Sequence, residues 1–543
     1  MSEVRVDVAV IGGGLGGVAA ALAACRAGRS VLLSEETDWV GGQLTAQGVP
    51  PDEHPWIEQF GCTASYRALR EGIRDYYRRW YPLTPAARAS EALNPGDGTV
   101  SRICAEPRVG VAVLEAMLAP HRAAGRLDLR LRHRPVAAAT DGDTVTGVTL
   151  RDLDSGGEVT VSARYVLDAT ETGDLLPLTG TEYVTGFEAQ ADTGEPSAPA
   201  ESQPLNMQAV SWCFAIDHVD GEDHTIEEPA GYPYWREFRP PYWPDRMFSL
   251  VAPKPQTMQP VRRWFVPHDE SPLDDPARDG DLALWRFRRI LARDNFAAGA
   301  FASDLVLVNW PMIDYVGGPL FEVDELEAAR HSAAAAAMSL SFLYWLQTEA
   351  PRPDGGTGWP GLRLRGDVFG AACKPDRRYS GTSHGLAKAP YIRESRRIVA
   401  EYTVVEQDVS RAVRGELGAR RYPDSVGIGS YRIDLHPSTG GDNYLDLPSW
   451  PFQIPLGALL PVRMRNLVPA AKNIGTTHIT NGCYRLHPVE WNVGEAAGLL
   501  AAYCLDTGVT PHQVCAEAAH LAEYQHLLSA HGVELAWPDA AER

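Results

Sequence analysis

Apolar residues dominate Val6 to Ile11, give way to glycines from Gly12 to Gly17, and resume over Val18 to Ala27 in an alanine-rich run. This pattern predicts a buried strand, a tight turn and a helix closed by Gly28, followed by a second strand over Ser30 to Leu33. Two such strands joined by a helix make one right-handed βαβ unit. From Leu127 to Thr170 the segments shorten and alternate. They are broken at Asp141-Gly142-Asp143 and Ser155-Gly156-Gly157, which are hairpin signals, and end on the apolar strand Tyr165 to Leu167. We read this stretch as a β-meander returning to the sheet.

Residues 185 to 325 differ in character. They are Pro-rich and irregular, with aromatics at Trp235, Tyr242, Trp243, Phe248, Trp264, Trp285 and Trp310, and read as the core of a substrate or cap domain in which most of these rings pack together. A long helix is expected from about Glu325 to Thr348, then a Pro/Gly loop from Pro351 to Gly361. A late strand (Leu467 to Pro469) and helices near 489 to 506 and 511 to 530 complete the chain. The expected fold class is α/β. A Rossmann-like domain with a parallel sheet and β-meander spans 1–184 and 365–510, a mixed α+β substrate or cap domain is inserted at 185–364, and a helical extension covers 511–543.

Composition narrows the partners. The 543 residues are 44% hydrophobic and 22% charged, enough for a large core, and 50 Lys plus Arg against 70 Asp plus Glu give a net charge of -20. Such a surface repels nucleic acid and anionic membranes, so a small-molecule substrate is the expected partner, with the oligomeric state left open. The eight cysteines, at 25, 62, 104, 213, 373, 483, 504 and 515, never stand in Cys-x-x-Cys spacing, which points to reduced cytoplasmic thiols and no metal site. Val8 to Cys25 lacks the basic flank of a signal peptide, and Ala333 to Leu346 is too short to span a bilayer.

The glycine turn carries the first chemistry. Gly12, Gly14 and Gly17 follow an apolar strand and open a helix, and Glu35 stands eighteen residues after Gly17 at the end of the second strand. In a dinucleotide site these glycines give the tight turn, backbone approach to the pyrophosphate and close helix packing, while the acid accepts from ribose hydroxyls.

The pair Gly41-Gly42, followed by Gln43, resembles the Gly-Gly signature of glutathione-reductase-like flavoproteins. Ala169-Thr170-Glu171-Thr172-Gly173-Asp174 resembles the Ala-Thr-x-x-Gly-Asp element of that class. Glu-Glu-Thr-Asp-Trp-Val-Gly-Gly-Gln (35–43), Pro-Tyr-Ile-Arg-Glu-Ser-Arg-Arg (390–397) and Asp-Ser-Val-Gly-Ile-Gly-Ser-Tyr (424–431) are closer still to the FAD-dependent oxidoreductase family. The resemblance implies an FAD-binding fold and FAD as cofactor, with Thr170, Gly173, Asp174, Lys472 and Asn473 as further contacts. Lys472 departs from the family's usual Arg, which keeps the charge but loses a bidentate contact. The resemblance also implies that the flavin ring is completed by Asn466 to Ala471 and by Gly494-Glu495-Ala496-Ala497-Gly498. The small residues Gly494 and Ala497 would let the positive end of a helix approach the ring.

Between these elements lies Thr477 to Pro488, the densest polar run, expected as a loop across the reactive face. A hydride can leave carbon only if the proton of the neighbouring O–H or N–H also leaves. His478 and His487 are therefore candidate bases, with Arg485 to hold an anionic group. His384 and His436 are further loop candidates. Arg393, Glu394, Arg396 and Arg397 are expected on a helix as an ion-pair lattice, with Arg393 kept as a possible ligand contact. Cys62 and Cys483 are expected to be buried.

There is neither a second glycine fingerprint nor a cysteine pair, so the electrons are expected to come from the organic substrate. The expected reaction is dehydrogenation of a C–OH, C–N or C–C bond, with oxygen or another acceptor reoxidising the flavin. The alternatives are an NAD(P)H-using flavin monooxygenase and a flavin electron-transfer subunit of a complex.

Overall fold

The computed structural model describes residues 2–272, 280, 282–370 and 384–538, so Cys373 lies outside the described residues. Strand β1 (Ser2–Ile11), helix α1 (Leu15–Arg26) and strand β2 (Val31–Glu35) form the opening unit, with the strands parallel and Val8 opposite Val31. Both faces of β1 are covered. Val8 and Val10 share a core with α1, while Ala9 and Ile11 face the opposite one with Leu32 and Val166. Burial on both sides explains why the strand reads as a continuous apolar run rather than an alternating one.

Helices α2 (Ala64–Trp80) and α3 (Pro107–Ala123) precede β3 (Leu127–Leu131), which joins β2 in parallel. The meander follows as β4 (His133–Asp141), β5 (Thr144–Asp152) and β6 (Glu158–Asp168). These pair antiparallel with one another, and β6 then lies parallel to β1. Thus Leu127 starts a core strand, and only the three strands after it form the meander.

A second sheet comprises β7 (Phe214–His218), β8 (Arg289–Leu291), β9 (Leu305–Val308) and β10 (Leu362–Leu364), in the order β8-β9-β7-β10 and antiparallel throughout. Helix α4 (Glu325–Thr348), capped by Asp324 accepting the Glu327 N–H at 2.8 Å, packs against it. Trp235, Trp243, Phe248, Trp285 and Trp310 are buried in this core with Phe342 and Leu346, so these rings pack against one another as expected.

The chain returns to the first sheet as β11 (Leu467–Pro469), parallel to β6. Helices α5 (His478–Tyr484), α6 (His487–Thr507), α7 (Pro511–Ala516) and α8 (Ala518–Ala530) follow. Among the described residues no helix is long and apolar enough to cross a membrane. Cys62 and Cys483 are buried, and burial pushes the Cys62 thiol up to about 12.

Helices α6 and α1 touch through small residues. A Cβ on Gly494 would lie 1.9 Å from the Gly16 carbonyl oxygen, and one on Gly498 would lie 2.3 Å from that of Ala20. Contacts that advance four residues on both helices mean that the two run side by side in the same direction. This corrects the sequence expectation for Gly494 and Ala497. Both sit well inside α6, and Gly494 serves helix packing rather than a helix terminus aimed at a ring.

Candidate functional site

The strand-to-helix turn at Gly12 forms one wall of a cleft of about 480 Å³, whose lining includes Gly12, Gly14, Glu35, Gly42, Thr170 and Asp174. Gly12 has φ +103°, and a Cβ there would lie 2.1 Å from the Ala169 carbonyl oxygen; a Cβ on Gly17 would lie 1.9 Å from the Gly12 carbonyl oxygen. Gly41 and Gly42 are both left-handed (φ +108° and +47°), and the Gly41 N–H donates to the Gly13 carbonyl at 2.7 Å. Only glycine adopts these conformations cheaply at such close approach. Two glycine segments therefore bring bare backbone to the N-terminus of α1, where the helix dipole favours an anion.

Glu35 stands beside the turn. Its carboxylate accepts from the N–H groups of Gly13 (2.9 Å) and Thr37 (2.8 Å) and from the Thr37 hydroxyl (2.8 Å). Burial pushes it up to about 7, with Glu171 adding to the rise. Thr170 and Asp174 belong to a self-bonded turn in which the Asp174 N–H donates to the Thr170 hydroxyl at 2.7 Å, and Gly173 permits the bend with φ +67°. Deeper in, Lys472 pairs with Glu171, and Glu490 accepts from the Gly16 N–H at 3.2 Å and from Gln43. Burial would lower the Lys472 ammonium, but Glu171 and Glu490 outweigh it and hold its ionisation above the ordinary lysine value. Asn473 donates to the Asp168 carbonyl at 3.1 Å, and its own buried side-chain oxygen has no hydrogen-bond partner among the described residues. Bare backbone at two glycine turns and a buried acid at the strand end suit a dinucleotide lying across the C-terminal ends of β1 and β2.

The segment that leaves this cleft carries Glu394, which bonds to His478 on the wall of a second cavity. Lys388, Ala389, Pro390 and Ile392 line the cleft, and Arg396 donates to the Thr172 carbonyl (2.9 Å) and pairs with Asp174 (3.2 Å), two more of its lining residues. The segment from Ile392 to Arg396 is not helical, and Arg397 opens a short strand, which corrects the expected helix, although the residues are ion-paired. The Glu394–Arg397 pair is present at 2.8 Å, but the other partners are distant in sequence: Asp314 for Arg393 at 3.0 Å, Glu322 for Arg396 at 2.7 Å and Glu188 for Arg397 at 2.8 Å.

Glu394 accepts a hydrogen bond from His478 Nδ1 at 2.8 Å and another from the Gln208 N–H at 3.0 Å. Burial would raise this carboxyl, but the facing His478 and Arg397 outweigh it and hold it at about 2. His478 itself begins α5, where Thr477 caps by accepting the Thr480 N–H at 3.1 Å. The expected loop from 477 to 488 is thus a short helix followed by the start of a long one. With Nδ1 fixed on Glu394, His478 keeps Nε2 without a hydrogen-bond partner among the described residues, and its ring lies tilted by 34° against Phe187, the centroids 3.7 Å apart.

His478 lines a cavity of about 200 Å³ together with Phe187, His436, Asp442, Asn443 and Tyr444. His436 is held in the same way, its Nδ1 lying 2.6 Å from Asp314, and Asp314 in turn accepts from Arg393 and from the Ser211 hydroxyl. The walls come mainly from residues 435–445; from the aromatic stretch 185–325 only Phe187 and Ser197 reach them. His384 is not among the lining residues and packs edge-on to Trp212.

Two of the three expected catalytic residues take other places. His487 is fully buried, its Nδ1 accepting from the Asp52 N–H (3.2 Å) and its Nε2 donating to the Val49 carbonyl (3.1 Å). Burial pushes its ionisation down to about 3, so it is a neutral structural group rather than a base. Arg485 reaches the Tyr391 hydroxyl (2.7 Å) and the Asp434 carbonyl (3.2 Å) and does not line the cavity of His478. Sequence reasoning missed Asp314 and Tyr444, which carry no local motif.

Comparison with known proteins agrees with this geometry. A profile described as FAD dependent oxidoreductase matches residues 7–528. The chain belongs to this family; it is an oxidoreductase, and FAD is its cofactor. No curated protein matches it in sequence. Among solved structures, p-nitrophenol 4-monooxygenase PnpA from Pseudomonas putida DLL-E4 is 12% identical, with TM-score 0.34 over 98% of this chain and 89% of that one. A geranylgeranyl bacteriochlorophyll reductase-like protein from Thermoplasma acidophilum is 11% identical, with TM-score 0.31 over 98% and 85%. L-proline dehydrogenase from P. horikoshii is 18% identical with TM-score 0.18, and the match spans 35% of this chain and 25% of that one. Overlaps this loose carry no argument about substrate or reaction.

Proposed function

We propose that this enzyme dehydrogenates a small or medium organic metabolite at a C–OH, C–N or C–C bond, with His478 as the general base. The observation that carries the reading is the His478–Glu394 pair, in which His478 lines the cavity and Glu394 stands two residues after Ile392 of the dinucleotide cleft. A carboxylate fixed on Nδ1 orients the imidazole, leaves Nε2 to take a proton, and stabilises the positive charge that results. Arg397 keeps that carboxylate charged and in place.

When bound, FAD supplies the acceptor for the hydride, and oxygen or another acceptor reoxidises it. In this reading Gly12, Gly14, Gly41 and Gly42 hold the pyrophosphate, Glu35 the ribose, and Lys472 and Asn473 the ring side. The paired glycine segments, one after each of the first two strands, also favour the glutathione-reductase-like class of flavoproteins.

The test is an anaerobic screen of purified, FAD-loaded enzyme against a metabolite panel, read as flavin bleaching. Bleaching by a metabolite alone is the expected result. Bleaching by NADPH with no metabolite would overturn the proposal in favour of a monooxygenase.

A further inference from the structure

The N-terminus of α1 favours an anion, yet a carboxylate of the chain itself stands against it. A Cβ on Gly14 would lie 3.2 Å from Glu171 Oε1, and one on Gly42 would lie 2.5 Å from the same oxygen. That Gly42 position is also 2.9 Å from the Gly14 Cα, so the oxygen sits in the seam where the two glycine turns meet. Glu490 Oε1 is equally close to the Gly14 position, at 3.2 Å, and accepts the Gly16 N–H at the same end of the helix. Backbone donors and the helix dipole attract a pyrophosphate here, while the carboxylate charge opposes it.

Lys472 does not remove this conflict. It takes the other carboxylate oxygen, Glu171 Oε2, so the negative end of the ion pair faces the turns. The Lys472 side chain is buried, whereas that of Glu171 is 27% exposed and lines the cleft, so Glu171 is the member of the pair that borders the dinucleotide. The basic side chains of the lining are already engaged: Lys388 pairs with Asp38 at 2.7 Å and Arg132 with Asp154 at 3.0 Å. A pyrophosphate at the turns is therefore held by backbone N–H groups, with a like charge beside it.

We infer that Glu171 works against the cofactor: its carboxylate repels the FAD pyrophosphate and holds the affinity about tenfold below what the two turns would otherwise give, so that FAD exchanges more readily. The inference rests on the pyrophosphate lying at the glycine turns. It gives Glu171 a part in setting how long the cofactor stays, separate from the chemistry at His478.

The experiment titrates FAD, ADP and adenosine onto the full-length apoprotein of wild type, Glu171→Gln and Glu171→Met by calorimetry, with urea unfolding of each apoprotein alongside. Both variants should bind FAD and ADP about tenfold more tightly and adenosine as wild type does. Both apoproteins should also be less stable, because buried Lys472 loses its Glu171 partner. Lower stability with tighter FAD marks an opposing charge, since a residue that only supported the turns would lower both when replaced. The methionine variant is needed because a glutamine amide can itself donate to a phosphate oxygen; where it does not fold, Glu171→Ala takes its place. Tightening by glutamine alone overturns the inference. So does FAD binding that is unchanged or weaker in both variants, or an equal gain for adenosine and ADP. If ADP binds wild type no better than adenosine does, the pyrophosphate is not at the turns, and that underlying reading fails and takes the inference with it.

Discussion

Replacing Gly494 by Ala tests where helix α6 really lies. The added Cβ would sit 1.9 Å from the Gly16 carbonyl oxygen, 2.5 Å from its carbon and 2.6 Å from the Gly16 Cα. Carbon contacts become comfortable only from about 3.5 Å, and backbone on both sides leaves no side chain to rotate away. The helices must part by about 1 Å, for which overpacking costs of about 1–3 kcal/mol are typical; the rigid partner places this variant at the upper end. Because α1 begins at the glycine turn, its displacement also moves the pyrophosphate cradle, and FAD affinity should fall by about tenfold, or ~1.4 kcal/mol. Gly498→Ala, 2.3 Å from the Ala20 carbonyl oxygen and a turn farther from the cradle, should destabilise similarly but weaken FAD less. Urea unfolding of the apoprotein gives the first quantity, and FAD titration by flavin fluorescence gives the second. Wild-type apoprotein stability combined with tenfold weaker FAD in Gly494→Ala would refute the helix crossing and return Gly494 to the flavin ring.

Glu394 ionises at about 2 in the fold against an ordinary 4.5, a depressed value that corresponds to about 3 kcal/mol of stability at neutral pH. That contribution is complete above the unfolded carboxyl's ionisation and is lost as pH falls through the folded one. Glu394→Gln should therefore cost about 3 kcal/mol at pH 7 and less than half of that at pH 3; urea midpoints showing a constant gap would contradict this. His487→Leu strips partners from the Asp52 N–H and the Val49 carbonyl, each worth about 1–3 kcal/mol when buried and unpaired. It should lower stability, with the flavin-reduction rate per bound FAD unchanged; a normal melting profile with lost turnover would restore His487 as a base.

How far the sequence reaches depends on the range of the interaction. The opening unit was readable because its signals are local: an apolar run, glycines with left-handed backbone at Gly12 and Gly41, and an acid ending β2. The histidine cavity was only half readable. His478 stood out in a polar run, but its orienting carboxylate is 84 residues away, and Asp314 is 122 residues from His436. The charges from Arg393 to Arg397 mimic helical spacing, yet most of their partners come from distant segments that only the tertiary fold assembles. Gly494 and Gly498 fit helix packing and ring approach equally well when α6 is considered alone. The deciding signal was available in α1, where Gly16 and Ala20 repeat the same four-residue step.

The central claim is that His478, oriented by Glu394, takes the substrate proton as hydride leaves. The direct test is the anaerobic single-turnover rate of flavin reduction by the best reductant in His478→Asn, with FAD stoichiometry matched to wild type. The account predicts a rate lower by about 10²–10⁴-fold. A rate within about threefold of wild type would contradict it.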